Sequence, residues 1–172
     1  DALHALYTDA TYQRDDYRGI VQAIDLRPGD AIILNAPNQE EVFRYYYSGA
    51  APVYPLPAGL GGDDAATRAA VTGIINRYDR VFAVLWGEAE RNPNRVVETT
   101  LNQGAYEASS DWYGDVRLIR YVTPAELTST GAPDAQFGPH ITLDAYALSA
   151  DRVQPGDVLQ LRLDWRTTAP LD

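Results

Sequence analysis

The residues best suited to binding chemistry lie in two loops, each directly after an apolar run. One loop offers amides and a carboxylate, and the other offers an indole, a carboxylate and a guanidinium. The seven candidate ligand-binding residues are Asn35, Asn38, Gln39, Glu40, Trp86, Glu88 and Arg91. Such groups can hydrogen-bond sugar hydroxyls while the indole stacks on the sugar ring. Taken singly, each has a structural alternative, as a helix cap or as part of the core.

No set of residues predicts a catalytic centre. His4 and His140 lack the spacing of metal ligands, and Ser109 and Ser110 lie outside any nucleophile-elbow motif. The adjacent acidic pairs, 40–41 and 63–64, stand at predicted helix starts, where neighbouring side chains point in different directions. We therefore assign no catalytic residue, no metal ligand and no cofactor, and whether the chain is an enzyme stays open.

The glycine-rich loop at 59–64 follows another apolar run and leads to the same predicted edge. Its sequence, GLGGDD, matches neither the dinucleotide fingerprint nor the Walker pattern. Asp63 and Asp64 stand where a phosphate would sit, which disfavours phosphate binding. Either Asp is instead suited to cap the helix that follows.

These loops depend on a succession of strands and helices. Continuous apolar runs at 31–34 and 81–85 predict strands that are covered on both faces, and a third strand is predicted at 52–56. Apolar residues at helical spacing predict helices from 8 or 9 to 27, 39–48, 63–78 and 92–104. A short edge strand at 105–109, a turn at 111–114 and a strand at 116–122 follow. Strand–helix alternation favours an α/β fold, a three-layer Rossmann-like and mostly parallel sheet with flanking helices. The carboxyl ends of parallel strands would bring the candidate loops together.

The pattern changes after residue 123. We predict an α/β domain at 1–123, a linker at 124–139 rich in Thr, Ser, Ala, Pro and Gly, and an antiparallel β segment at 140–172. Apolar residues there recur at every second position, which is typical of half-buried antiparallel strands. They are Ile141, Leu143, Ala145 and Ala147, then Leu159, Leu161, Leu163 and Trp165. Two strands are only marginally stable alone, so the pair either leans on the α/β domain or begins a truncated β-sandwich.

Composition limits the partners. The net charge of −10 disfavours nucleic acid, since an acidic surface repels it. The chain contains neither Cys nor Met, and all fourteen basic residues are Arg. The missing Met leads us to expect a processed product or a piece of a longer protein.

One helix face cannot bury all three rings of Tyr45, Tyr46 and Tyr47, so we expect at least one of them to be exposed. Further candidates for an exposed aromatic surface are Tyr106, Trp112 and Tyr113.

Ordered short blocks run from residue 16 to residue 121. They are 16–18 (DYR), 28–34 (PGDAIIL), 35–39 (NAPNQ), 45–47 (YYY), 52–57 (PVYPLP), 80–86 (RVFAVLW), 113–114 (YG) and 116–118 (VRL). Together they resemble the soluble extracytoplasmic domain that follows the transmembrane helices of some bacterial glycosyltransferases. These are polytopic proteins related to protein O-mannosyltransferases and lipid-A aminoarabinose transferases, which use lipid-phosphate-linked sugar donors. Residues 141–165 look like the opening of a β-sandwich appended in some such proteins.

The resemblance implies an accessory module rather than an enzyme. The family's catalytic acidic residues lie in a loop between early transmembrane helices, and no position here matches that loop. It implies a non-catalytic domain outside the cytoplasm, periplasmic or at the cell surface, in a parent protein anchored in the membrane. Its partners would be the transmembrane part of the same polypeptide and a glycan or lipid-linked sugar. The alternative is an independent α/β enzyme or sugar-binding protein with its site at the carboxyl edge of the sheet.

Overall fold

The structure, a computed structural model, describes residues 16–59, 61–87 and 92–169. The chain divides into two compact units, one up to Thr123 and one from Pro124. In the described residues, no helix is both long enough and apolar enough to cross a membrane.

The first unit is built on a mixed five-stranded sheet. Its strands are β1 (Asp30–Asn35), β2 (Val53–Pro55), β3 (Arg80–Leu85), β4 (Tyr106–Tyr113) and β5 (Val116–Val122), in the order β2-β1-β3-β5-β4. β1, β2 and β3 are parallel, whereas β5 is antiparallel to both β3 and β4. The α/β class is confirmed, and the sheet is mixed, because β5 runs opposite to the other four strands. The antiparallel pair of β4 and β5 follows from the two-residue turn Gly114-Asp115, which joins these strands directly.

Helices cover both faces of this sheet. They are α1 (Tyr17–Ala23), α2 (Glu40–Tyr46), α3 (Asp64–Ile75) and α4 (Val96–Gly104), with a 3-10 turn at Pro37–Gln39 before α2. One core joins α3 and α4 to alternate strand residues such as Ile33 and Ala83. The other joins α1 and α2 to the intervening residues, including Ile32 and Val84. Every residue of β1 and β3 is buried, because the two continuous apolar runs face helices on both sides.

N-capping side chains explain where two of these four helices begin. Asp63 caps α3 by accepting a hydrogen bond from the Ala66 N–H at 2.8 Å, as expected. Asp16 caps α1 in the same way through Gly19, and the predicted part of that helix before Asp16 lies outside the described residues. The prediction for the last helix is wrong, because α4 begins at Val96 and not at Pro93. Its N-cap is Arg95, whose side chain makes no capping hydrogen bond, so the prediction of Asn92 as the N-cap is also wrong. Asn92 Oδ1 instead accepts from the Val96 N–H at 3.0 Å across the preceding turn.

Strand β4 is longer than the short edge strand expected at 105–109. It runs on through residues 111–113, where a turn was expected, and the turn comes later at Gly114-Asp115. Gly114 adopts a φ of 66°, a left-handed conformation that glycine accepts without steric cost. The chain therefore reverses where the backbone is most permissive, and the aromatic residues before the turn stay in the strand.

The second unit is a four-stranded antiparallel sheet centred on β8. Its strands are β6 (Ser129–Gly131), β7 (Ala135–Phe137), β8 (Ile141–Leu148) and β9 (Leu161–Thr167). The antiparallel pairing of β8 with β9 is confirmed. The range 124–139, expected to be a linker, instead contributes β6 and β7, which both pair with β8. Backbone pairing to an apolar neighbour holds these segments in strands although their side chains are mostly small or polar.

A β-bulge in β8 changes which of its side chains share a face of the sheet. Leu143 pairs with Trp165, but Ala145 pairs with the preceding residue Asp164, so Asp144 is an extra residue on one strand. One extra residue reverses the alternation beyond it. Tyr146 therefore shares a face with Leu143, and the prediction that Ala145 and Ala147 do so is wrong.

The extra residue of the bulge also makes an ion pair that is testable by pH titration. Arg166 donates from Nε at 2.9 Å and from Nη2 at 3.0 Å to the two carboxylate oxygens of Asp144, which lowers the pKa of Asp144 below its ordinary value. A lowered folded-state pKa adds stability above the unfolded-state pKa, and this stability is lost as pH falls through the folded one. We expect an NMR titration to give Asp144 a midpoint below its ordinary range and Arg166→Gln to raise it. A midpoint that Arg166→Gln leaves unchanged would refute the pairing.

Candidate functional site

The carboxyl ends of β1 and β3 lie side by side at a switch point of the sheet. The chain goes from β1 to β2 on one side and then returns past β1 to β3 on the other. Asn35 and Leu85, the last residues of β1 and β3, are paired, and the Trp86 N–H donates to the Asn35 carbonyl at 2.7 Å. In α/β sheets, a crevice forms where connections diverge in this way. The structure thus brings the start of both predicted loops together.

Two of the predicted ligand residues are buried within the fold. Asn35 and Gln39 are almost fully shielded from solvent. Gln39 accepts from the Tyr17 hydroxyl at 3.0 Å through Oε1, and its Nε2 donates to the Val84 carbonyl at 3.3 Å. It therefore ties α1 to the carboxyl end of β3 and positions the loop, which leaves little of its amide for a ligand.

The remaining predicted residues differ in accessibility. Asn38 is exposed and Trp86 is half-buried against the core under α1 and α2. Glu40 forms an ion pair with Arg44 one helical turn later, at 2.7 Å. Glu88 and Arg91 lie outside the described residues. Asn38 and Trp86 are accordingly the two described candidates with both an accessible side chain and a place at the switch point.

Gln39 provides a direct test of the positioning role. We expect Gln39→Ala to lower the free energy of unfolding by about 1–3 kcal/mol, because it deprives a buried hydroxyl and a buried carbonyl of this partner. Asn38→Ala, its exposed neighbour, is the matched control and should change stability by less than about 0.5 kcal/mol. Urea unfolding measures both variants. Equal stability of the two would show that Gln39 contributes no more to the fold than an exposed loop residue.

A network of charged residues, not foreseen from the sequence, lies at the same edge. Arg117 is paired with Leu85, so the start of β5 lies beside the carboxyl end of β3. Its Nη1 donates to Glu98 Oε1 at 2.8 Å, and its Nε donates to Ser110 Oγ at 2.8 Å. Arg95 contacts the other oxygen of Glu98, whose side chain is 9% exposed. The only sequence signal was a Glu in the first turn of a helix, which is common.

Several aromatic side chains of the first unit are exposed, among them those of the tyrosine triplet and of β4. Tyr45 is 81% exposed and stacks edge-to-face with Tyr46, which confirms that the tyrosine triplet is only partly buried. Tyr47 packs on Phe43 and donates its hydroxyl to the Ala51 carbonyl at 3.0 Å. Trp112 is 67% exposed at the end of the edge strand β4. Flat exposed rings of this kind suit a sugar or a partner protein.

Tyr113 follows Trp112 on the opposite face of the sheet. Partial burial raises the pKa of its phenol, and the nearby carboxylates of Asp111 and Asp16 raise it further. The raised pKa extends the pH range in which the hydroxyl stays protonated and can donate a hydrogen bond. Among the described residues, no group of three or more His, Asp or Glu side chains converges as a metal site. The arrangement is suited to binding by stacking and hydrogen bonding.

Comparison of the chain with models of protein families, with curated proteins and with solved structures yields no match.

Proposed function

We propose that the chain is a non-catalytic accessory domain of a bacterial membrane glycosyltransferase, which guides an acceptor or glycan to a membrane-embedded active site. The parent protein would use a lipid-linked sugar donor, and this domain would lie outside the cytoplasm. Its partners would be the transmembrane part of the same polypeptide and the glycan or lipid-linked sugar. The block resemblance of residues 16–121 supplies the family, and the first unit would be a Rossmann-like variant with an added β-hairpin.

The observation that carries the proposal is how the charged and polar side chains are used. Gln39, Glu40 and Glu98 are held by other protein groups, while large aromatic rings are turned outward. A reaction centre needs an acid, a base or a nucleophile within reach of a substrate. A recognition domain needs exposed, rigid surfaces of mixed character. The described residues fit the second requirement better.

The second unit supports a modular arrangement. One face of its sheet collects most apolar residues of β7, β8 and β9, and the other face carries Arg162, Asp164 and Arg166. Such one-sided sheets pack against a second sheet in β-sandwiches. We propose that this unit is one layer of a sandwich, as the resemblance implies.

Two measurements test the proposed function. The reading frame that encodes these residues should encode transmembrane helices directly upstream, and a full-length gene without them would refute the assignment. A glycan array probed with the purified chain should show binding to bacterial surface glycans. Binding to none of them would oppose a role in guiding the glycan.

The second candidate function is an independent α/β enzyme or sugar-binding protein. The switch point between β1 and β3 favours it, because ligands of such sheets bind there. Under this alternative, Asn38→Ala and Trp86→Phe should weaken ligand binding, whereas Tyr45→Ala should not. Glycan binding that survives both Asn38→Ala and Trp86→Phe would favour the accessory-domain hypothesis.

A further inference from the structure

Trp112 lies in a surface patch together with the charged network around Arg117, next to the carboxyl end of β3. We define the Trp112 patch as Glu98, Glu107, Ser110, Trp112 and Arg117. Trp112 and Arg117 are directly opposite each other on β4 and β5, and the Arg117 Cζ lies 6.0 Å from the centre of the Trp112 ring. Because Trp112 is mostly exposed, its ring keeps broad access to solvent although the Arg117 guanidinium lies over part of the ring. The patch therefore combines a flat apolar surface with a charged, planar hydrogen-bonding group.

The guanidinium of Arg117 is held in place before any ligand arrives. Its Nε and Nη1 are both committed, to Ser110 and to the buried Glu98. Its Nη2 lies 3.8 Å from Glu107 Oε1, which is longer than a hydrogen bond. A ligand hydroxyl can therefore accept from Nη2 and donate to Glu107. Binding to a fixed donor costs less conformational entropy than ordering a mobile one.

The charges of the patch point to a neutral ligand. The two carboxylates of the patch, Glu98 and Glu107, are balanced by Arg117 and by Arg95, which lies outside the patch and contacts Glu98. The formal charge of these four groups is zero, while the whole chain carries −10. An anionic ligand would meet no local excess of positive charge and would be repelled by the chain as a whole. A pyranose ring has an apolar C–H face for an indole and equatorial hydroxyls for a donor–acceptor pair. Neutral sugars thus match both the shape and the charge of the site.

We propose that the Trp112 patch binds a neutral pyranose ring, stacked on the indole and hydrogen-bonded to Arg117 Nη2 and Glu107. The inference deepens the proposed function and rests on it, because it names the class of glycan that this domain would hold. Ser110 and Glu98 act as positioning residues for Arg117. Trp112 carries most of the contact area.

The test is a sugar titration of the full chain followed by NMR. The chain has three tryptophans, at 86, 112 and 165, so three indole N–H signals report three places. We expect cellobiose or lactose to move the Trp112 signal saturably, with a Kd on the order of 1–10 mM. Glucuronate, the anionic comparison, should move it much less. No saturable movement of the Trp112 signal by either disaccharide, up to about ten times that Kd, would overturn the proposal.

Variants separate binding from folding. Trp112→Ala should weaken binding at least about tenfold, which corresponds to 1.4 kcal/mol. Trp165→Ala is the matched control, because Trp165 is also an exposed strand tryptophan, and it should leave the affinity unchanged. Arg117→Lys keeps the charge but loses the planar fork, and we expect a several-fold weaker Kd with a well-dispersed spectrum. Equal affinity of the Trp112→Ala variant and the unchanged chain would overturn the proposal.

The outcomes also distinguish this inference from the proposed function. Movement of the Trp86 signal alone would overturn the Trp112 patch and leave glycan guidance standing, with its site at the switch point. Saturable binding at Trp112 in a protein whose gene encodes no transmembrane helix would support the patch and overturn the glycosyltransferase assignment.

Discussion

Replacing Arg80 with methionine is expected to lower the free energy of unfolding of the first unit by about 3–5 kcal/mol. Arg80 and Asp30 are the paired first residues of β3 and β1. Arg80 donates from Nε and Nη2 to the two oxygens of Asp30, at 2.9 and 2.6 Å, and the two side chains are 10% and 1% exposed. Methionine keeps the apolar stem but leaves the buried carboxylate without its counter-charge. Removing one partner of a buried ion pair is far more costly than the pair itself is stabilising.

Urea unfolding followed by tryptophan fluorescence measures this effect. In a Trp165→Phe background, Trp86 and Trp112 report the first unit. Arg68→Met is the matched control, since Arg68 is exposed on α3, and it should change stability by less than about 0.5 kcal/mol. The double variant Asp30→Asn with Arg80→Met should recover part of the loss, because no buried charge is then left. An Arg80→Met variant as stable as Arg68→Met would contradict this account of the pair.

The elements that sequence predicts best are those with one dominant cause. The strands expected at 31–34 and 81–85 are found at Asp30–Asn35 and Arg80–Leu85, because an unbroken apolar run buried on two faces tolerates few other structures. Asp63 caps α3 as expected because its side chain needs only the N–H three residues later. Both signals act within a short stretch of chain.

Features that leave no recognisable pattern in the local sequence are not predicted. The start of α4 shifted because Arg95 takes a left-handed conformation, with a φ of 49°, and Pro93 lies in the preceding turn. The facing of Tyr146 depends on a bulge, and a single extra residue leaves no mark on composition. The contact of Arg117 with Glu98 joins residues 19 positions apart and depends on the register of β5 against β3. Local patterns do not contain that register.

The sequence predicts where the candidate site lies better than it predicts which side-chain atoms there can bind a ligand. The sequence predicts that loops 35–40 and 86–91 lie at one edge of the sheet. The pairing of Asn35 with Leu85 agrees with this prediction for the residues that the structure describes. It did not predict that Gln39 is occupied, because the hydroxyl that binds it comes from Tyr17, 22 residues earlier on a packed helix. A polar residue after a strand is therefore a good guide to an edge and a poor guide to which atoms remain for a ligand.

The second large effect concerns the apolar face of the second unit. The bulge in β8 places most apolar residues of β7, β8 and β9 on one side of the sheet. They are Ala135, Phe137, Ile141, Leu143, Tyr146, Leu148, Leu161, Leu163 and Trp165. Leu163 is 40% exposed and Trp165 is 47% exposed, and Trp165 meets Phe137 edge-to-face at 5.3 Å. A contiguous exposed apolar surface of several hundred Å² is unusual and binds hydrophobic probes.

The chain should therefore bind the dye anilinonaphthalene sulfonate strongly, and the double variant Leu163→Thr with Trp165→Thr should reduce the dye fluorescence several-fold. Threonine preserves strand propensity, so the sheet should persist, as circular dichroism can verify. The control is Trp112→Thr, which removes an exposed indole that has charged neighbours and no contiguous apolar face. If this control lowers the fluorescence as much as the double variant does, the dye binds to isolated aromatic rings. The prediction of a continuous apolar dye-binding surface would then be refuted. A loss of fluorescence with the double variant alone would support the continuous apolar surface. The bulge contributes to this surface because it keeps Tyr146 and Leu148 on the same face as Leu143. A second sheet would pack on this surface.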